Sequence, residues 1–273
     1  MRKLDDAEER VSKFYNTVGW EVLSELTEDA RRFEDLREVA AGYVKRCRLR
    51  VLRHIPQQGA NILDMASGPI QYTEYLEYSK HFEKRYCVDL SVNALEMARQ
   101  EIGDHGVFLH GSFFDIPMEE NFFDCAISLH TIYHMNKEKQ EAAVRKLLMV
   151  TKPGKPVIIV YSNPETLISK LMRQQMVKKI KKLLLNKKHK SDEEVESELY
   201  FHAHPISWWN RFSDISRVEF FPWRSFNSNA QKTLIPNNKL GSAVFRILFF
   251  LEERYPTFFV RNFQYPMIML TKR

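Results

Sequence analysis

The sequence predicts an α/β fold in which helices cover both faces of a doubly wound, mostly parallel, seven-stranded sheet. Short apolar runs alternate with segments of helical periodicity from residue 58 to residue 162, as in a parallel sheet with crossover helices. The first apolar run ends at Asp64 and a turn of small residues, and the second ends at Asp89. Acids at two successive strand ends are typical of a nucleotide-type crossover unit.

The individual elements follow from periodicity and from turn residues. Residues 5–57 are predicted to be helical, because apolar side chains recur there at helical spacing. The predicted strands are 61–65, 84–89, 106–110, 123–129, 156–161, 216–222 and 263–271. The predicted helices are 71–78, 92–101, 137–150, 206–213 and about 240–254. A detour through residues 163–204 interrupts the alternation before its last elements.

The turn after the first strand indicates the kind of ligand. A carboxylate at the tip of the second strand, here Asp89, can accept hydrogen bonds from both ribose hydroxyls of a nucleoside. A phosphate-binding turn would carry G-x-G-x-x-G or G-x-x-x-x-G-K-[ST], and neither pattern is present. The turn instead has one glycine, Gly68, and follows the acidic Asp64. An acidic mouth of this kind suits a cationic or zwitterionic nucleoside.

Four short motifs occur in order along this part of the chain. They are Asp64–Gly68, Gly111–Pro117, Asn121–Ser128 and Thr151–Lys155. Together they resemble the D-x-G-x-G turn, the adenine-binding loop, the fourth strand and the turn before the fifth strand of class I S-adenosylmethionine-dependent methyltransferases, small-molecule branch. The resemblance implies a Rossmann-like fold, S-adenosyl-L-methionine as the cofactor and methyl transfer of the EC 2.1.1 type.

The resemblance also implies which residues bind the cofactor. They are Tyr15, Asp64, Ala66, Ser67, Gly68, Asp89, Leu90, Ser112, Phe113, Phe114, Leu129 and His130. Two departures accompany them. Ala66 and Ile70 replace the first and third glycines, so we expect a less permissive turn. Ser112 stands where the family usually has an acid for the adenine amino group, a role that a hydroxyl can still fill as an acceptor.

The predicted elements divide the chain into four parts. Residues 1–57 form an N-terminal helical lid and a first packing helix, and residues 58–162 form the cofactor-binding core. Residues 163–204 are a basic and acidic helical insertion that acts as an acceptor lid. Residues 205–273 are the remainder of the core, with a helical insertion at about 238–256.

The segment 173–190 carries eight basic side chains and no acid, and its apolar residues share one helical face. A solvated lid face is the simplest explanation. Weak association with an anionic membrane surface, or with an anionic substrate, comes next, and RNA binding is third. We disfavour a nucleic-acid partner, because the segment Ser128–Thr131 lacks the [NDS]-P-P-[YFW] tetrad of amino-methylating nucleic-acid enzymes.

Methyl transfer from a sulfonium needs alignment and exclusion of water, and needs a base only for a poorly acidic acceptor. A neutral histidine is a suitable base near pH 7, so His134 is the catalytic candidate; its alternative is a structural hydrogen bond. His130 is four residues away, but no third ligand or H-E-x-x-H pattern accompanies the pair, so no metal is predicted.

The candidate substrate-binding residues lie in the N-terminal lid, after the fourth strand and at the end of the insertion. They are Tyr15, Trp20, Tyr133, His134, His202 and His204. Core packing is the alternative for Tyr15. A surface loop is the commoner explanation for the two histidines of the segment 200–205.

Composition fits a single globular enzyme. The chain has 273 residues, 44% of them apolar, and a formal net charge of +6. Three widely spaced cysteines and an N-terminus without an apolar signal segment predict a reducing, cytoplasmic location.

The predicted function is methyl transfer to an oxygen or nitrogen of a small-molecule acceptor, such as a natural-product or glycan precursor with an anionic group. The alternatives are an RNA-modifying methyltransferase that uses residues 173–190 and a non-catalytic S-adenosylmethionine-binding protein. The sequence leaves the oligomeric state open.

Overall fold

The structure, a computed structural model, describes residues 4–20, 22–23, 26–167, 169–170 and 199–273. Within these residues seven strands form one sheet. They are β1 (Gly59–Met65), β2 (Phe82–Asp89), β3 (Gly106–His110), β4 (Cys125–Leu129), β5 (Pro156–Val160), β6 (Ser216–Arg224) and β7 (Tyr265–Lys272). Their spatial order is β3-β2-β1-β4-β5-β7-β6, and only β7 runs antiparallel to its neighbours. The predicted doubly wound, mostly parallel sheet is confirmed.

Helices cover this sheet and precede it. The α-helices are α1 (Asp6–Phe14), α2 (Glu28–Phe33), α3 (Glu38–Leu49), α4 (Thr73–Leu76), α5 (Val92–Ile102), α6 (Gln140–Val150), α7 (Ser228–Leu234), α8 (Lys239–Arg254) and α9 (Pro256–Asn262). Short 3₁₀ helices occupy Val51–Arg53, Gly103–His105, Ile132–His134 and Ile206–Phe212, and a π-helical turn follows α1 at Tyr15–Gly19. Two further residues, Val22 and Leu23, pair antiparallel with Leu26 and Thr27. No helix in the described ranges is long and apolar enough to cross a bilayer.

The structure departs from the sequence prediction at several helices. The predicted helix 206–213 is a 3₁₀ helix, in which side chains three residues apart share a face, and Trp209 and Phe212 are both fully buried. The predicted helix 71–78 is reduced to α4, and α7 and α9 were not predicted. The basic segment 173–190 lies outside the described residues. The division of the chain at residues 57, 162 and 204 stays a prediction.

The centre of the sheet is buried on both faces. Residues 157–160 of β5 are all fully buried, and Ile62 and Leu63 of β1 are buried to the same degree. Strands covered on both faces have nearly continuous apolar sequences, which is why these strands could be recognised from the sequence. Because β1 to β5 are parallel, their carboxyl ends meet at one edge of the sheet.

A buried ionic cluster attaches α8 to the rest of the fold. The Glu252 carboxylate is fully buried and accepts hydrogen bonds from the Tyr43 hydroxyl at 2.6 Å and from Arg50 Nη1 at 2.8 Å. The backbone amide and hydroxyl of Ser225 donate to the same carboxylate. The cluster therefore joins α8, α3 and the segment after β6 through one charge that lies away from water.

We expect Glu252→Gln to destabilise the fold by about 3 kcal/mol, because the buried Arg50 guanidinium would lose the one of its two charged partners that is itself fully buried. Glu253→Gln is the matched control. Its side chain is 34% exposed and pairs with Arg50 and Arg53, so we expect a loss of less than about 1 kcal/mol. Urea denaturation monitored by circular dichroism measures both. Equal losses in the two variants would contradict the role assigned to the buried carboxylate.

Candidate functional site

A cavity of about 590 Å³ lies at the carboxyl ends of β1, β2, β3 and β4. Its lining includes residues 64–72 at the end of β1 and in the turn after it, and residues 88–90 at the end of β2. Residues 111–113 after β3 and residues 129–131 at the end of β4 and just after it complete this side. Open α/β sheets bind ligands outside the carboxyl ends of their strands. The volume falls within the range of small-molecule sites.

The turn after β1 has a left-handed backbone at alternate residues. The φ angle is +56° at Ala66, +57° at Gly68 and +55° at Ile70. This conformation costs a residue with a side chain about 1–2 kcal/mol, and it is rare for β-branched residues. Ile70 is fully buried against Cys87, Leu95 and Ala98, and this packing offsets the strain. The turn therefore keeps a glycine-type backbone without two of the glycines.

Asp89, at the tip of β2, holds this turn in place. Its carboxylate accepts hydrogen bonds from the amide of Gly68 at 2.9 Å and from the amide of Ser91 at 2.8 Å. Burial raises the pKa of Asp89 to about 6, against the opposing effect of these amides. A ligand that donates a hydrogen bond to Asp89 would therefore contact a buried carboxylate whose two oxygens already accept from backbone amides.

The other acid of the predicted mouth, Asp64, is paired with a cation. Arg85 is 1% exposed and donates to the Asp64 carboxylate from Nη2 and, at 3.1 Å, from Nε. Burial raises the pKa of Asp64, and Arg85 opposes that rise. Both side chains line the cavity. Because the two charges offset each other, the cavity is less acidic at this point than the sequence predicts.

Ser112 contacts a carboxylate that the sequence did not reveal. Its hydroxyl donates to Oε1 of Glu8, which comes from α1 and lines the same cavity. Oε2 of Glu8 accepts from the amide of Asp5 at 3.0 Å and from Nζ of Lys139 at 3.2 Å. A carboxylate is thus present beside the position where the family usually carries one on the loop itself. The Asp5 and Glu8 spacing is a helix-capping signal, so it indicates where α1 begins but not what Glu8 faces.

The end of α1 places two aromatic rings over the turn. Tyr15 stacks on Trp20 with ring centroids 4.7 Å apart, and a Cβ atom added to Gly68 would lie 3.4 Å from the Trp20 ring. Gly19 allows this arrangement, since a Cβ atom there would lie 2.5 Å from the Tyr15 ring. Asn16 holds the segment to the core by accepting a hydrogen bond from the Ser91 hydroxyl at 2.9 Å. Tyr15 and Trp20 both line the cavity.

Charged groups from distant parts of the chain also line the cavity. Nη1 of Arg224 donates to Glu34 at 2.7 Å, whereas Nε of Arg224 is buried without a hydrogen-bond partner. Burial raises the pKa of Glu34, but Arg224 and Arg48 more than reverse this, so the net shift is downward. Asp29 accepts from the Tyr15 hydroxyl at 3.3 Å, and burial raises its pKa to about 7. No sequence signal marks the contact between Glu34 and Arg224, since the two residues lie 190 positions apart.

Two histidines follow β4. His130 has a φ angle of +61°, its Nδ1 lies 3.0 Å from the Tyr133 hydroxyl, and its Nε2 is buried without a partner. Nδ1 of His134 lies 2.8 Å from the carbonyl oxygen of Tyr200. A carbonyl only accepts, so Nδ1 carries the proton and Nε2 is left as the acceptor. Burial lowers the pKa of His134 to about 4, so the ring is neutral at pH 7. Burial also holds the pKa of His130 well below its usual value.

The cavity brings together most of the residues singled out from the sequence, and three lie away from its lining. Those that line it are Tyr15, Trp20, Asp64, Ala66, Ser67, Gly68, Asp89, Leu90, Ser112, Phe113, Leu129, His130, Tyr133 and His134. Phe114, whose amide donates to the Ser112 hydroxyl, is outside the lining. His204 stacks on Trp208 at 4.5 Å, and the carbonyl of His202 accepts from Gln140. Both histidines pack within the protein rather than against the cavity.

Comparison with known protein families finds a match in the central part of the chain. The family described as "Methyltransferase domain" matches residues 63–159. These residues contain the last three residues of β1, all of β2 to β4, nearly all of β5, and the Asp64–Gly68 turn. No curated protein matches the chain.

Several solved structures share the fold at low sequence identity. Geranyl diphosphate C-methyltransferase from Streptomyces coelicolor A3(2) is 12% identical, with a TM-score of 0.57 over 100% of both chains. Magnesium protoporphyrin IX methyltransferase from Synechocystis PCC 6803 is 12% identical, with a TM-score of 0.53 over 98% of this chain and 100% of that one. DhpI, in a complex with SAM and HEP, is 10% identical, with a TM-score of 0.55 over 98% and 99%. Residues 63–159 therefore match a methyltransferase domain, and the chain has the fold of the class I S-adenosylmethionine-dependent methyltransferases.

Proposed function

We propose that this protein transfers a methyl group from S-adenosyl-L-methionine to an oxygen or nitrogen of a small-molecule acceptor. The observation that carries the proposal is the position of Asp89, whose carboxylate lines the cavity at the tip of β2 and holds the left-handed turn. A nucleoside ribose that donates two hydroxyls would satisfy this carboxylate, and the Gly68 backbone permits close approach.

The described residues fit the cofactor at three places. Asp89 would hold the ribose hydroxyls, and Glu8 with Ser112 would accept from the adenine amino group. Leu90 and Phe113 line the cavity next to Asp89 and Ser112 in the chain, and they would contact the adenine ring. Tyr15 and Trp20 would cover the bound molecule. When bound, the cofactor supplies an electrophilic methyl group, and the protein aligns the acceptor with it and excludes water.

His134 is the proposed base. Its pKa of about 4 keeps the ring neutral at physiological pH, and the hydrogen bond to Tyr200 orients it with Nε2 as the acceptor. Nε2 would receive the proton that a hydroxyl or ammonium acceptor loses. Tyr133 lies beside His134, with ring centroids 4.6 Å apart, and would position the acceptor. An acidic acceptor would need no base.

The buried Nε of Arg224 supports an acceptor with an anionic group, because an unpartnered guanidinium donor costs free energy that a carboxylate or phosphate oxygen would recover. A natural-product or glycan precursor of this charge is the acceptor class we propose. Geranyl diphosphate, which is bound in the complex of a methyltransferase with the same fold, is one small molecule of that charge.

The alternatives receive less support. A non-catalytic protein was suggested by Ala66 and Ser112, but Ala66 keeps the left-handed backbone and Ser112 contacts the Glu8 carboxylate. RNA modification, and a weak contact of an anionic membrane with residues 173–190, both rest on a segment outside the described residues. The buried, unpaired thiols of Cys47, Cys87 and Cys125 support our placement of the protein in the reducing cytoplasm.

Calorimetric titration with S-adenosylmethionine, S-adenosylhomocysteine and NAD tests the proposal. We expect both sulfur nucleosides to bind and NAD not to bind, because the turn lacks a phosphate-binding pattern. An acceptor screen by mass spectrometry, weighted to small anionic molecules, follows. Binding of NAD alone, or of none of the three, would contradict the proposed function.

Asp89→Asn tests the ribose contact. We expect the affinity for S-adenosylhomocysteine to fall by about 1.5–3 kcal/mol, the range for a hydrogen bond to a charged group. Because Asp89 has a pKa of about 6, the wild-type affinity should be full above pH 6 and fall about tenfold per pH unit below it. The variant should lack this dependence, and the exposed Asp104→Asn should retain it. A pH dependence that survives in Asp89→Asn would exclude this carboxylate as its source.

Glu8→Ala tests the adenine contact. S-Inosylhomocysteine carries a carbonyl in place of the amino group, so the wild-type protein should prefer S-adenosylhomocysteine by about tenfold or more. We expect Glu8→Ala to lose this preference and the neighbouring Glu9→Ala to keep it. If Glu8 only stabilised α1, both ligands would weaken equally and the preference would survive.

His134→Gln tests the base, with an acceptor found in the screen. We expect kcat to fall about 10²-fold or more while S-adenosylhomocysteine affinity changes less than about twofold. The wild-type rate should be independent of this group from pH 6 to pH 8 and fall toward pH 4 as the ring protonates. His202→Gln, outside the cavity lining, is the control. A parallel loss of rate and cofactor affinity in His134→Gln would indicate a structural role instead.

A further inference from the structure

Helix α8 is apolar on two opposite faces. Its inner face, with Gly241, Phe245 and Glu252 buried, packs against α3. Leu240, Ile247 and Phe250 lie seven and three residues apart, so they share the other face of the helix. Their exposed fractions are 64%, 58% and 64%. A helix packed on one side normally presents mainly polar residues to solvent on the other, whereas α8 exposes these three apolar side chains among basic ones.

Exposed apolar side chains continue on both sides of this helix. Leu234 precedes it at the end of α7, and Tyr255 and Phe258 follow it, each more than half exposed. Among the described residues, six of the eleven large apolar side chains that are exposed fall between residues 234 and 258. We call these six side chains the α8 surface. Leu240, Ile247 and Phe250 share one helix face, and exposed apolar residues grouped in this way are typical of interaction sites, whereas singly scattered ones are not.

The exposed charged side chains of residues 228–262 are nearly all basic. The exposed basic side chains of residues 228–262 are Lys232, Lys239, Arg246, Arg254 and Arg261. The one exposed acid in the same stretch, Glu253, is already paired with Arg50 and Arg53. A partner for this surface therefore has to offer an apolar layer together with negative charge.

An anionic lipid surface offers both. Interfacial helices insert an apolar face at the level of the lipid headgroups, and basic side chains on the flanks of the helix reach the anionic headgroups. A second copy of the chain fits less well. Pairing two α8 surfaces would bring two sets of five cations together, and the stretch offers no unpaired acid to offset them.

We propose that the α8 surface docks the protein on anionic membranes. Helix α8 has 16 residues, a length of roughly 24 Å, and would lie along the bilayer surface with Leu240, Ile247 and Phe250 inserted. Glu252 keeps the helix attached to the core on its opposite side, so docking needs no unfolding. The proposal is independent of the methyltransferase chemistry, because the exposed face of α8 is opposite to the face that packs on α3 and does not line the cavity.

Vesicle co-sedimentation of the full chain tests this proposal. We expect partition onto vesicles of phosphatidylcholine with phosphatidylserine, at least tenfold weaker partition onto phosphatidylcholine alone, and weakening at high salt. Ile247→Ser/Phe250→Ser should reduce partition onto the anionic vesicles at least tenfold. Lys239→Gln/Arg246→Gln should reduce both the partition and its salt dependence. Leu36→Ser, a change of an exposed apolar residue outside the α8 surface, should have no effect.

Three results would overturn the proposal. Absence of wild-type partition onto anionic vesicles is the first. Partition that is unchanged in Ile247→Ser/Phe250→Ser is the second, and it would direct attention to another segment such as 173–190. The third is a wild-type dimer, seen by sedimentation velocity, that the same double variant converts to a monomer. All variants alter exposed side chains, and their thermal unfolding should match that of the wild type.

Discussion

The left-handed turn that follows β1, held by the Asp89 carboxylate, is the constraint on which the cavity depends. The amide of Gly68 donates to Asp89, so the turn and the tip of β2 are fixed relative to each other. The sheet delivers the strand ends to one edge, and the turn decides how closely a ligand can approach them. Burial of the carboxylate raises its pKa, and the amides of Gly68 and Ser91 oppose that rise by donating to it.

The N-terminal segment completes the cavity through polar contacts with residues far along the chain. Glu8 meets Ser112, Asn16 meets Ser91, and Glu34 meets Arg224. These contacts tie α1 and the residues around α2 to the sheet and to the segments that follow its strands. Trp20 and Tyr15 stack on each other and line the cavity. Packing of the N-terminal segment therefore shapes the wall of the cavity.

The sequence predicted most of the sheet and the part of the site on the strand ends, for physical reasons. Strands buried on both faces have continuous apolar runs, and the acids at their tips follow directly, as Asp64 and Asp89 show. It did not reveal α7, which is polar, or α9, which begins at Pro256 after a short break. Glu8, Asp29 and Arg224 were missed because their place in the cavity depends on packing between segments distant in the chain. The sequence also did not predict the left-handed φ angles at Ala66 and Ile70, because alanine and isoleucine disfavour them.

The matched domain, residues 63–159, is smaller than the unit that encloses the cavity. Glu8 and Trp20 come from before it, and Arg224 and Tyr265 come from after it. Changes in these outer segments can alter which molecules fit while the strand ends and their turn stay the same. The family match thus accounts for the strand-end wall of the cavity, and the shape of the other walls is set by segments that the match does not include.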